Sequence, residues 1–92
     1  MIKSFRHKGL EKFFLTGSKA GIIASHEDRL NRQLTRLNRA QIPEDVRVPG
    51  WFLHPLKGKL DGFWSIWVNG NWRLTFRFTH GGVEIVDYQD YH

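Results

Sequence analysis

The run FWSIWVNGNWRLTFRF over residues 63–78 constrains this chain more than any other feature. Two segments rich in aromatic and β-branched residues flank Asn69-Gly70. Asn-Gly is the strongest short signal for a two-residue hairpin, because both residues tolerate the left-handed backbone. A second turn, THGG at 79–82, leads into VEIVDY. With the WFLH run from Trp51, the C-terminal half reads as an antiparallel sheet.

The N-terminal half has a different period. MIKSF alternates and suggests a short first strand, and HKGLEKFFLTG follows with Leu10, Phe13 and Phe14 at helical spacing and Gly17 as its stop. SHEDRLNRQLTRLNRA is the clearest helix: Ile23, Leu30, Leu34 and Leu37 form an apolar stripe beside a second stripe of Arg29, Arg32, Arg36 and Arg39. Ser25 and Asp28 are spaced as in a capping box, and Pro43 closes the segment before the loop IPEDVRVPG. The predicted fold is α+β: an N-terminal strand, two helices, then an antiparallel sheet with the helices packed on one face. No repeat, linker or low-complexity tract divides residues 1–92, which is the length of one compact domain.

A two-residue turn at Asn69-Gly70 predicts a register. Val68 would pair with Asn71, Trp67 with Trp72, Ser65 with Leu74 and Phe63 with Phe76, which puts these residues and Phe78 on one apolar side. Ile66, Arg73, Trp64 and Thr75 then lie on the other side. Pairing Phe78 with Val83 extends the pattern: Phe76 meets Ile85, Arg73 meets Tyr88, and alternation places Asp90 and His92 on Arg73's face. A one-residue slip at THGG would put Asp90 among the core residues, so the first register is preferred.

Composition bears on the partner. With 14 Lys+Arg against 9 Asp+Glu and a net charge of +5, a polyanion is the first expectation, nucleic acid ahead of an anionic membrane surface. The chain has no Cys, which removes disulfides, thiolate zinc sites and cysteine nucleophiles. No apolar run is long enough to span a bilayer and MIKSFRHKGLEKFF lacks the apolar core of a signal peptide, so a cytoplasmic protein is expected.

Metal-free RNA cleavage needs a base for the 2′-hydroxyl, cations for the charge growing on phosphorus, and an acid for the departing 5′-oxygen. His suits the proton transfers near neutral pH, and Arg and Lys suit the phosphate. The chain offers His54, Lys57, Arg73, Asp90, Tyr91 and His92. Periodicity places only Arg73, Asp90 and His92 together. His7, His26 and His80 read as ordinary surface or helix residues. The arginine stripe alone is more often a wet helix face than an RNA contact, but beside this chemistry Arg29, Arg32, Arg36 and Arg39 are expected to dock on ribosomal RNA. Asp87, Asp90, His92 and His54 lack any metal-ligand spacing such as HExxH, so no metal and no cofactor is expected.

LHPLKG, WSIWVNGNWRLTF and the ending DYH together resemble the HigB toxins of the RelE-like superfamily, along nearly the whole chain. The resemblance implies a microbial-ribonuclease-like fold and ribosome-dependent, metal-independent mRNA cleavage in the A site. It also implies the ribosome as a partner and neutralisation by a HigA-like helix-turn-helix antitoxin. Carried over by motif, His54 and His92 are the proton-transfer groups. Lys57 and Arg73 hold the phosphate, Asp90 and Tyr91 orient the reacting groups, and Asn71 touches the mRNA. Many members have Arg where this chain has Trp67, so a cationic contact is absent here or replaced by stacking. The alternative is a basic RNA- or ribosome-binding module without catalysis.

Overall fold

The computed structural model describes residues 1–91. Two α-helices, α1 (Lys8–Thr16) and α2 (Glu27–Arg39), precede a four-stranded antiparallel sheet of β1 (His54–Pro55), β2 (Phe63–Asn69), β3 (Trp72–Thr79) and β4 (Gly82–Asp90) in the order β1-β2-β3-β4. The α+β expectation holds. Gly17 ends α1 in the left-handed conformation at φ 81°, with its N–H donated to the Phe13 carbonyl. No helix is long and apolar enough to cross a membrane, among the described residues.

Three local expectations change. The first segment forms two isolated parallel bridges to β4, Ile2 to Val83 and Phe5 to Val86, instead of a strand. Ile85, between those bridges, has φ 55°, and its N–H is taken by the Ser4 hydroxyl, so a regular ladder cannot continue there. Ser25 does not cap α2: it lies within a 3₁₀ turn, Ala24–His26, and no side chain caps the helix. Of WFLH only His54 enters the sheet, followed by Pro55 in a two-residue strand.

The register differs at two bulges. Asn69 pairs with Trp72, so Gly70 and Asn71 form the turn, and Gly70 alone carries the left-handed φ. That matches the hairpin turn with Gly at its first central position. Val68 is then an extra residue in β2. Trp67 pairs with Arg73, Ile66 with Leu74, Ser65 with Thr75, Trp64 with Phe76 and Phe63 with Arg77. The faces of β2 are therefore the reverse of those counted from the turn. In β4, Phe78 pairs with Val83 as expected, but an irregularity follows. Leu74 then meets Tyr88, Arg73 meets Gln89 and Trp72 meets Asp90. Tyr88 and Asp90 thereby leave Arg73's face. An inserted residue reverses every side chain beyond it, which is why counting from either turn fails here.

The core lies on the face of Ile66, Val68, Leu74, Phe76, Val83, Val86 and Tyr88, packed by Leu10 and Phe13 of α1 and Leu30, Leu34 and Leu37 of α2. Ile23 of the expected stripe is exposed. His26, expected at the surface, is only 4% exposed and joins an aromatic cluster with Tyr88 and Trp72. The Ile23 N–H reaches the Tyr88 hydroxyl at 3.4 Å. The same hydroxyl lies 2.6 Å from His26 Nδ1, a hydrogen bond whose donor is set by the imidazole tautomer. His7 is not idle either: its Nδ1 accepts the Leu10 N–H at 2.9 Å and caps α1.

Burial holds the His26 pKa below its usual 6.5 and raises that of Tyr88. Desolvation disfavours the charged form in each case. Below pH 6.5 the unfolded chain binds a proton at His26 that the folded chain resists, so this contribution to stability is complete above 6.5 and lost as pH falls through the depressed folded value. Urea unfolding across pH 5–7, a window set by these side-chain values, should show stability dropping toward the acid end. His26→Asn, which keeps an acceptor near Nδ1 but does not titrate, should flatten that part of the curve. An unchanged slope would remove His26 from the acid response.

Candidate active site

The sheet face away from the core carries the polar residues. Ser65, Trp67, Arg73, Thr75 and Gln89 share it by strand pairing, and β1 brings His54 opposite Ser65. The loop before β1 rises beside them. The result is an open cleft of about 780 Å³ lined by Phe52, Leu53, His54, Leu56, Ser65, Trp67, Arg73 and Tyr91.

Tyr91 reaches the cleft because its N–H donates to the Asn71 carbonyl at 2.7 Å, which ties the end of β4 to the β2–β3 turn. Alternation from Gln89 gives Tyr91 the Arg73 face. Arg73 donates to the carbonyls of Gly70 and Trp72, each at 3.2 Å, and remains part-exposed. Ser65 and Thr75 are buried, and Thr75 Oγ1 accepts from Gln89 Nε2 at 2.9 Å. Ser65 thus gives the cleft one small hydroxyl, with Thr75 paired to it on the same sheet face and a cation and an exposed imidazole also in the lining.

The sequence candidates divide accordingly. His54, Arg73 and Tyr91 meet in one cleft. Lys57 is exposed at the start of the 3₁₀ turn Gly58–Leu60, one residue beyond the cleft-lining Leu56. Asn71 is exposed in the turn and contributes its carbonyl. Asp90 is exposed opposite Trp72, on the other face from Arg73 by register. His92 lies outside the described residues. Among the described residues no three His, Asp or Glu side chains are grouped to hold a metal ion.

The arginine stripe is not uniform. Arg29 turns inward, donating to the Gly50 carbonyl at 2.6 Å and lying 5.1 Å from the Trp67 ring centroid. Burial, and then the charge of Arg32, lower its pKa. Arg36 donates to the Asp45 carbonyl at 2.9 Å. Arg32, Arg36 and Arg39 line a second groove of about 490 Å³ with Asn31, Thr35 and Trp51.

Periodicity missed Phe52 and Trp67. Trp67 counts as a core residue only if β2 is unbroken, and the bulge at Val68 turns it to the cleft. Gln33 was missed as well. It is fully buried on α2, and its Nε2 donates to the Trp67 carbonyl at 2.8 Å while its Oε1 has no partner among the described residues. A polar residue at an apolar-stripe position was the available signal.

The family model described as "RelE-like toxin of type II toxin-antitoxin system HigB" matches residues 3–92. The chain is 45% identical over 92 residues to "Endoribonuclease HigB" of Proteus vulgaris, covering all of both chains. It is 37% identical over 94 residues to "Toxin HigB-1" of Vibrio cholerae serotype O1, covering all of this chain and 98% of the relative.

Gln33 is the buried link between α2 and the cleft. Gln33→Glu would aim a carboxylate at the Trp67 carbonyl and should cost about 3 kcal/mol near neutral pH, with part of that recovered in acid as the carboxyl protonates and donates. Gln33→Met removes both the donor and the unpartnered oxygen, so it should stay within about 1.5 kcal/mol of the parent. Denaturant unfolding of both variants checks this ordering.

Proposed function

From the premise that the chain belongs to the HigB branch of the RelE-like toxins of type II toxin–antitoxin systems, we propose that it is an endoribonuclease that cleaves mRNA in the ribosomal A site by metal-independent acid–base chemistry. The observation that carries this reading is the meeting of His54, Arg73 and Tyr91 in one open cleft. A proton-transfer group and a phosphate-binding cation are two of the three parts that transesterification of RNA requires within one nucleotide's reach, and the phenol of Tyr91 stands beside them.

In the proposed mechanism, one imidazole takes the proton of a 2′-hydroxyl, and that oxygen attacks the adjacent phosphorus. The bond to the 5′-oxygen breaks as a second acid supplies its proton. The products are a 2′,3′-cyclic phosphate and a 5′-hydroxyl end. His54 and His92 serve as the two proton-transfer groups. Arg73 and Lys57 neutralise the phosphorane oxygens, where charge develops in the transition state. Tyr91 and Asp90 orient the reacting groups, and Asn71, at the turn, contacts the message.

Access to the cleft is open, and a chain of this size does not enclose an RNA strand. Free RNA rarely holds its 2′-oxygen in line with the leaving group, and positioning contributes on the order of 7–11 kcal/mol in favourable cases. The ribosome supplies that positioning in this reading, which makes ribosome, ribosomal RNA and mRNA the partners in action. A cognate antitoxin, of the HigA helix-turn-helix type, is the partner at rest. The site of action is the cytoplasm.

Removal of His92, or His54→Ala, should lower cleavage of ribosome-bound mRNA by roughly 10²–10⁴-fold. Neither change removes a residue of the hydrophobic core. Thermal unfolding should therefore be near the parent's, and antitoxin binding should persist. The measurement is primer extension on programmed ribosomes, with naked mRNA as the control. Efficient cutting of naked RNA would remove the ribosome from the mechanism, and near-normal cleavage without His92 would return DYH to a strand end.

The groove of Arg32, Arg36 and Arg39 is the proposed contact with ribosomal RNA. Each phosphate contact makes affinity fall with salt. Arg32→Ala with Arg36→Ala should weaken ribosome binding and flatten its salt dependence by about one slope unit per lost contact. Arg29→Ala should instead disturb Trp67. Sedimentation binding across a salt series distinguishes the two arginine roles.

A further inference from the structure

Phe52 is anomalous. The residue is 71% exposed, and its backbone sits at φ 50°, a region that a bulky residue rarely adopts. Chains ordinarily bury such a ring. Here it meets the Trp67 indole, with ring centroids 5.8 Å apart and planes at 75°. Both rings line the cleft that also holds His54 and Arg73. We propose that Phe52 and Trp67 form a stacking corner for one unpaired RNA base, next to the nucleotide whose phosphate Arg73 holds. This deepens the endoribonuclease reading and rests on it.

Trp67 is restrained on every polar side. Its N–H donates to the Trp51 carbonyl at 2.7 Å. Gln33 donates to its carbonyl at 2.8 Å, and its indole N–H donates to the Gly70 carbonyl at 2.9 Å. The Arg29 guanidinium lies over the ring. A ring held this way loses little freedom when a base stacks on it, which favours binding. Two rings at a steep angle accept a flat guest in one manner: it lies against one ring and turns its edge to the other.

The choice of RNA follows from what stands beside the corner. Arg73 lies directly across the sheet from Trp67. Both donate to one carbonyl, that of Gly70, so the guanidinium and the indole nitrogen are neighbours. A cation for a phosphate beside a platform for a π-face is the pairing that single-stranded nucleic acid demands. Arg29 adds a second positive charge behind the indole. An apolar side chain of a protein partner would fill the corner but leave Arg73 unanswered. Stacking is tolerant of sequence, because every base has a π-face, so the corner grips without selecting a codon.

The test uses ribosomes programmed with mRNAs in which each A-site nucleotide in turn, and the one following, is 2-aminopurine, with 2′-deoxy sugars to block cleavage. Wild-type protein should quench 2-aminopurine at one of these positions. Trp67→Phe should keep the quench. Trp67→Ala and Phe52→Ala should abolish it, with Trp67→Ala weakening binding of a short free oligoribonucleotide about 5- to 150-fold. Phe52 is exposed, so its variant folds even where Trp67→Ala does not, and thermal unfolding monitors both. Equal quenching by wild type, Trp67→Ala and Phe52→Ala overturns the corner. Loss of antitoxin binding with RNA binding intact also overturns it and makes the corner a protein-docking surface. Cleavage of unmodified mRNA on the same ribosomes is read separately: cleavage without quenching retains the nuclease and removes the corner, and quenching without cleavage does the reverse.

Discussion

Two breaks in the strand pairing decide what this protein presents to its surroundings. Val68 in β2 and the Ile85-Val86 step in β4 each interrupt the pairing with β3. Because strand side chains alternate, each interruption reverses the faces of the residues beyond it. The first sends Ile66 and Val68 into the core and turns Trp67 outward. The second sends Val86 and Tyr88 inward and leaves Gln89 and Tyr91 beside Arg73. The core, the cleft and the attachment of α2 at the Trp67 carbonyl all follow from these two positions.

The same positions mark where the sequence ceased to be legible. Periodicity was enough for α1 and its stop at Gly17, for most of α2, and for the faces of β3, where Trp72, Leu74, Phe76 and Phe78 pack toward the core. A bulge leaves no mark in a pattern of Val, Ile and Trp, because either face accepts an apolar residue. So β2 was read on the wrong face although its strand character was plain. For Tyr88, a phenol that suits a wet face was satisfied inside by His26, a pairing 62 residues apart that no local pattern contains.

The candidate site was legible through chemistry and motif more than through periodicity. His54, Arg73 and Tyr91 were chosen for what imidazole, guanidinium and phenol can do, and they share the cleft. Asp90 was assigned by alternation, and the register gives it the other face. Phe52 carried no signal, since an aromatic between Trp51 and Leu53 reads as core. Arg29 looked like its stripe-mates at Arg32 and Arg36, yet it is the one whose charge is directed inward to Gly50 and Trp67. Helical spacing groups residues on a face without saying which of them finds a carbonyl.

The lay of residues 2–5 along β4 has a consequence for the protein when it is separated from any partner. A strand edge with unpaired N–H and C=O groups recruits other chains, and sheets that remain dispersed keep their edges short, interrupted or covered. At one edge, β1 is two residues long and one of them is Pro55, which has no N–H to offer. At the other, the N-terminal segment occupies the Val83 and Val86 carbonyls through Lys3 and Arg6, and accepts the N–H groups of Val83 and Val86. Gly82 is pressed so closely by the Met1 backbone that a Cβ there would lie 2.1 Å from the Met1 carbonyl oxygen. Both edges are thus short or covered by the protein's own chain, an arrangement that disfavours edge-to-edge pairing between copies.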